Sequence, residues 1–178
     1  LRIFILYSIL SFIILAFLNI SGVRLFNSLN LAMTLVSNGG FLPSDTLKEI
    51  ISTNFQKMIL IFSLLLSMLN FFLLFNIFNK KVLLKQHKED LYLFSITIIF
   101  ILLVYFNNFQ GLNIIAGVIS SLANSGISLM KTDNNLSLYF ILLTLIGGSI
   151  ISNSSGIKLS RFYILLKITS SEIIHLIS

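Results

Sequence analysis

Three glycines, Gly39, Gly40 and Gly126, lie in short polar turns that close two apolar stretches, FNSLNLAMTLVSNGGFLPSD over 26–45 and GLNIIAGVISSLANSGISLMKTD over 111–133. Turns of small residues suit one chemistry in particular: their backbone carbonyls replace the hydration shell of a monovalent cation. Glycine is needed there because such turns ask for φ values that a Cβ disfavours. The candidate cation-filter positions are Asn38, Gly39, Gly40 and Phe41 in the first turn and Asn124, Ser125, Gly126 and Ile127 in the second. Asp45 and Asp133 follow the turns, where acids would draw cations to an outer mouth. On residue types alone other readings stay open, namely close helix packing through the glycines and plain solvation for the two acids. Other chemistries have little to work with. There is no Cys, only two His and six acids, and His87 stands alone in a basic stretch, which is the setting of a solvated side chain. With no catalytic constellation, the expectation is a protein that is not an enzyme and that carries no cofactor.

The elements that position these turns follow from length. A helix over Leu25–Val36 rises about 18 Å at ~1.5 Å per residue, a little over half of a hydrocarbon layer about 30 Å thick. Extended residues 38–42 recover about 16 Å, and Pro43 disfavours a helical residue before it. The stretch therefore reads as a re-entrant hairpin, and 111–133 repeats the plan. Backbone of this kind at membrane depth is tolerated where protein buries it or where it lines a water-filled path.

A hydrophobic fraction of 56% against 10% charged residues places the chain among integral membrane proteins, and its apolar spans and short helices make an all-α membrane protein the expectation. The expected spans are Ile3–Leu18, Met58–Phe78 with Asn70 at its middle, Leu91–Phe106, and Leu136–Ile168, with 45–56 outside the membrane as a loop or short surface helix. The last span is interrupted by Gly147, Gly148, Ser149, Ile150, Ile151, Ser152, Asn153, Ser154, Ser155 and Gly156. Eleven helical residues from Leu136 advance about 16 Å, so the interruption begins near the bilayer midplane, where unwound backbone reads as lining a pathway. Arg2, Lys80, Lys81, Lys85, Lys88, Lys158, Arg161 and Lys167 fall on one side, eight of the twelve basic residues. By the positive-inside rule that side is cytoplasmic. The net charge of +6 is thus a matter of topology and not of nucleic acid, and both hairpins enter from outside.

The order span, short helix, turn, span occurs twice, and the wording resembles the Trk/Ktr/HKT superfamily of potassium uptake proteins, specifically its TrkH-like membrane subunits. Phe26, Gly39, Gly40, Phe41 and Asp45 fall on the pore-loop pattern of the family's second repeat, and Ser121, Leu122 and Gly126 on that of the third. The longest match is LIGGSIISNSSGIKLSRFYILLKITSSEIIHLIS over 145–178, where Gly147, Gly148, Ser152, Gly156, Ile157, Lys158, Arg161, Leu165, Leu166, Lys167 and Glu172 coincide with the family pattern. The resemblance implies two potassium-channel-like repeats, 1–78 and 91–178, joined by a cytoplasmic basic loop over 79–90. It further implies K⁺, or Na⁺, as the transported ion, held by the backbone of Asn38, Gly39, Asn124 and Ser125, with 147–156 as a gating loop below. The implied partners are the remaining pore repeats, a second full-length subunit in a homodimer, a cytoplasmic nucleotide-binding regulatory subunit and the lipid bilayer of the cell inner (plasma) membrane. Ile150, Ile151, Ser154 and Ser155 stand where the family has Ala or Gly. Only the second and third of four repeats are covered, so the expectation is a piece of a longer protein, a split or decayed gene product, or a half-pore that pairs with another chain. Two functions of different class follow: a cation-conducting pore segment, or a non-conducting structural subunit of a membrane complex.

Overall fold

The computed structural model describes residues 2–44, 46–69, 88–107, 111–129, 134–150 and 152–177. Asp45, Asn70, Lys80, Lys81, Lys85, His87, Asp133 and Ile151 lie outside the described residues. Among the described residues the chain is almost wholly helical: α1 (Arg2–Ile20), α2 (Leu25–Ser37), α3 (Leu47–Ile50), α4 (Asn54–Met68), α5 (Lys88–Asn107), α6 (Gly111–Ala123), α7 (Asn134–Leu145) and α8 (Leu159–Ile177). Between α7 and α8, β1 (Ile146–Gly147) pairs in parallel with β2 (Ile157–Lys158), Ile146 facing Ile157 and Gly147 facing Lys158. The break in the last long helix is therefore a loop closed at its neck and not a loose strand.

Packing centres on the two short helices. α2 and α6 both lie against α4, α1 covers α2, and α5 and α7 flank α6. Leu31 and Leu35 of α2, Leu60, Leu64 and Met68 of α4, and Ile114, Ile119 and Leu122 of α6 are fully buried in one apolar cluster. Outside it, Phe4, Phe12, Ile20, Leu138, Ile141 and Ile164 point away from the protein. So many outward apolar side chains are more than a water-facing surface of this size usually presents. Among the described residues one helical stretch, Ile3–Ile20, is long and apolar enough to cross a membrane.

Three boundaries differ from the sequence expectation. Of the helix expected over Met58–Phe78, 70–78 lie outside the described residues; its described part, α4, starts at Asn54, because Thr53 forms a capping box with Gln56, and ends at Met68, where Leu69 turns extended at ψ 159°. Nothing in the apolar run after Met68 announces this stop. The stretch 45–56, expected as a loop or short surface helix, holds the short helix α3, which packs inward: Leu47, Ile50 and Ile51 are buried, and buried Gln56 donates through Nε2 to the Ser21 carbonyl at 3.1 Å. The basic stretch 79–90 does not remain a loop to its end, since α5 begins at Lys88 and Asp90 is buried.

Candidate functional site

The two turns are built alike. α2 and α6 each have 13 residues and are related by a constant offset of 86 (25 to 111, 37 to 123). At that offset Asn38 and Asn124 have φ of 54° and 55°, and Gly40 and Gly126 have φ of 72° and 68°. Asparagine ends each helix because its short polar side chain tolerates the left-handed region better than most. The next amide closes the helix end: Gly39 N–H donates to the Thr34 carbonyl at 3.1 Å, and Ser125 N–H donates to the Ser120 carbonyl at 3.0 Å. Such a bond, spanning five residues back, closes the helix end; the Thr34 carbonyl is shared with the Asn38 N–H. A hydroxyl then ties the far side of each turn to its own helix. Thr34 Oγ1 donates to the Phe41 carbonyl at 2.7 Å, and Ser120 Oγ donates to the Ile127 carbonyl. These two hydroxyls were not singled out from sequence, although they share the 86-residue offset with the glycines.

The turns touch one another. A Cβ on Gly40 would stand 2.8 Å from the Ser125 carbonyl oxygen, and one on Gly126 would be 3.9 Å from Gly40 Cα. All eight candidate filter residues, Asn38 to Phe41 and Asn124 to Ile127, thus come from two segments in contact. Their side chains differ: Phe41 is 81% exposed whereas Ile127 is 3% exposed. Buried Ser125 has its hydroxyl against Ser120 Oγ at 2.9 Å. Asn38 Oδ1 accepts from Ser67 Oγ of α4 at 3.1 Å, and Asn124 Nδ2 donates to the Ser155 carbonyl of the interrupting loop at 3.2 Å. A cavity of about 300 Å³ lies beside the second turn, lined by Gly117, Ser120, Ser121, Asn124, Phe140 and Thr144.

The loop over 147–156 is seated on the ends of these helices. Ser149 N–H donates to the Met68 carbonyl at 3.2 Å, a carbonyl left free where α4 ends. Asn153 Nδ2 donates to the Val36 carbonyl in the last turn of α2 at 2.6 Å. Gly148 N–H is taken by buried Ser154 Oγ at 2.8 Å, so the loop also bonds across itself. Its glycines are there for space: a Cβ on Gly147 would lie 2.1 Å from the Ser155 carbonyl oxygen, and one on Gly148 would lie 2.7 Å from that of Met68. Ser149 is fully buried and Ile150 half exposed, while Ser152, Asn153, Ser155 and Gly156 fill the rest of the described loop.

Two charged residues hold its edges. Glu89, the second residue of α5, accepts from Ile150 N–H through Oε2 and from Ser160 N–H through Oε1, both at 3.3 Å. Lys158 Nζ donates to the Ser152 carbonyl and Oγ, each at 3.3 Å, to Ser154 Oγ at 3.2 Å, and to the Ser154 carbonyl. Sequence reading passed over Glu89, which is hidden at the end of a run of charges. Among the described residues no cluster of His, Cys, Asp and Glu could hold a metal ion.

No protein-family model matches the chain, and no curated protein matches it. Among solved structures, the crystal structure of the potassium transporter TrkH from Vibrio parahaemolyticus aligns with a TM-score of 0.80, covering 94% of this chain and 40% of that one, at 18% identity. The chain has the TrkH fold. It spans about two fifths of the length of that TrkH chain. The expected all-α architecture is thereby shown, and likeness at this identity speaks to the fold alone.

Proposed function

We propose that this chain is a pore-forming part of a membrane transporter that takes up a monovalent cation, K⁺ or Na⁺. The observation that carries the reading is the paired turn. Two helix-ended, glycine-containing segments of matching backbone meet at Gly40 and Ser125 on a TrkH fold, beside a loop bonded to Asn124 and to the ends of α2 and α4. In this reading the backbone of Asn38, Gly39, Asn124 and Ser125 supplies cation ligands. The C-terminal ends of α2 and α6, partially negative, favour a positive charge there. The loop 147–156 obstructs or clears the path as a two-state element. Asp45 and Asp133 attract cations at the outer mouth.

The remaining walls of the pore come from further repeats, in the same longer chain or in another, and the complete subunits pair as a homodimer in the cell inner membrane. A cytoplasmic nucleotide-binding subunit sets the loop's equilibrium. No bond is made or broken, and the driving force is the membrane potential, about 2.3 kcal/mol per charge per 100 mV. The test is rubidium uptake in cells lacking their own potassium importers, with this chain alone and with the missing repeats supplied. Uptake is expected only with the repeats supplied; an assembled protein that carries no cation flux overturns the reading.

A further inference from the structure

The interrupting loop turns several of its oxygens toward Lys158. Four oxygen atoms, the carbonyl and hydroxyl of Ser152 and the carbonyl and hydroxyl of Ser154, converge on one ammonium group. Carbonyl and hydroxyl oxygens are neutral hard donors, the type that coordinates alkali cations and ammonium alike. The cage is held open from outside. Ser152 Oγ is also hydrogen-bonded to the Ser149 carbonyl and to Ser154 Oγ, and buried Ser154 Oγ receives Gly148 N–H. Lys158 itself is fixed by the β1–β2 pairing at the loop's neck, so its four-carbon stem can deliver the charge to one place.

We propose that Lys158 is a tethered cation that fills a K⁺-type oxygen cage in the interrupting loop and so latches the loop in the arrangement seen here, with Glu89 as the second point of the latch. Glu89 binds Ile150 N–H ahead of the cage and Ser160 N–H just past the neck, and thus spans the loop from α5. Glu89 and Arg161 are the charged neighbours whose fields reach the ammonium. A loop that leaves its seat must release both grips together, whereas a free K⁺ entering the cage would compete with the tethered one. Because Glu89 lies one residue into α5, a shift of that helix end bears directly on the loop. For its effect on flux the inference rests on the transport reading above; for cation binding it stands alone.

Two measurements on the assembled transporter test it. In proteoliposomes, Lys158→Met is expected to raise rubidium flux about tenfold, since a two-state loop loses roughly one charged hydrogen-bond group on its closed side. Ser152→Ala, which removes one cage oxygen and keeps the lysine, is expected to raise it less, about twofold. In detergent, KCl but not N-methylglucamine chloride is expected to raise the thermal midpoint of Lys158→Met more than that of wild type, because the vacated cage takes K⁺. A folded Lys158→Met whose midpoint responds to KCl no more than wild type's overturns the cation site. Unchanged flux in both variants, beside a conducting wild type, overturns the latch. Should Lys158→Met fail to fold, Ser152→Ala decides the latch by flux and the site by a weakened response to KCl. If wild type itself carries no flux, the transport reading falls and the site is judged on the thermal response.

Discussion

Gly40 and Gly126 share nearly the same φ, 72° and 68°, but not the same surroundings, so alanine at the two positions separates backbone strain from crowding. Both variants place an L-residue in the left-handed region, at about 1–2 kcal/mol each. At position 126 little is added, because the nearest atom to the new methyl is Gly40 Cα at 3.9 Å, an ordinary contact. At position 40 the methyl would stand 2.8 Å from the Ser125 carbonyl oxygen, a backbone atom held by its own helix-capped turn. Relieving an overpacked contact of that kind costs about 1–3 kcal/mol more. Gly40→Ala should therefore depopulate the native pair of turns roughly five- to a hundredfold further than Gly126→Ala. Rubidium uptake normalised to the amount of protein in the membrane reads the difference, and the thermal midpoint in detergent checks it. Equal losses, or a heavier loss at 126, would mean that the turns do not meet at Gly40 and Ser125, and the shared-site argument would fail with them.

Thr34→Val and Ser120→Ala each remove a hydroxyl that holds a turn carbonyl, and each should lower stability by about 1 kcal/mol; Thr34→Ser should restore most of it, read as thermal midpoints. Gly39→Ser should be tolerated within about 0.5–1 kcal/mol, because the residue at the matched position is already Ser125 and a Cβ on Gly39 meets the movable Ser37 hydroxyl at 3.0 Å and the Phe41 ring at an ordinary 3.6 Å. Comparable expression and uptake would bear this out, and loss of both would refute it. Thr53→Ala should cost about 1 kcal/mol through the lost capping box at the start of α4 while leaving cation preference unchanged, checked by melting and by rubidium–sodium competition.

Much of this arrangement was legible because it is written in local rules. The length of α2, the glycines in the turns and the break after Leu145 follow from segment length and from residues that tolerate special φ, but residues 38–42 are not the extended run expected: Asn38 at φ 54° and Gly40 at φ 72° turn the chain back within the helix end. The end of α4 was not legible. Leu69 continues an apolar run, and the marker of the stop is a distant partner: the Met68 carbonyl receives Ser149 N–H, and Gly148 packs against it too closely for any side chain. Glu89 was missed for a related reason. A carboxylate beside lysines reads as a solvated charge, and its role depends on two amides 61 and 71 residues away. Lys158 was legible as a match to the family pattern but not as the residue that gathers the loop oxygens, since that depends on the parallel pairing of β1 with β2.

The likeness between the two turns also bears on how a fold persists when sequence identity has fallen to 18%. Between the copies, Gly39 answers to Ser125 and exposed Phe41 to buried Ile127, so the side chains carry little of the resemblance. What repeats is a hydroxyl, an asparagine four residues on and a glycine two beyond that: Thr34, Asn38, Gly40 and Ser120, Asn124, Gly126. Each acts on the backbone. The hydroxyl pins a carbonyl, the asparagine turns the chain out of the helix, and the glycine takes the second left-handed step. On the proposed reading, a filter made of main-chain oxygens would keep its shape through those three constraints, leaving the other positions to answer to their own neighbours. Alignment by residue identity loses such a site early, because its chemistry lies in atoms that all residues share.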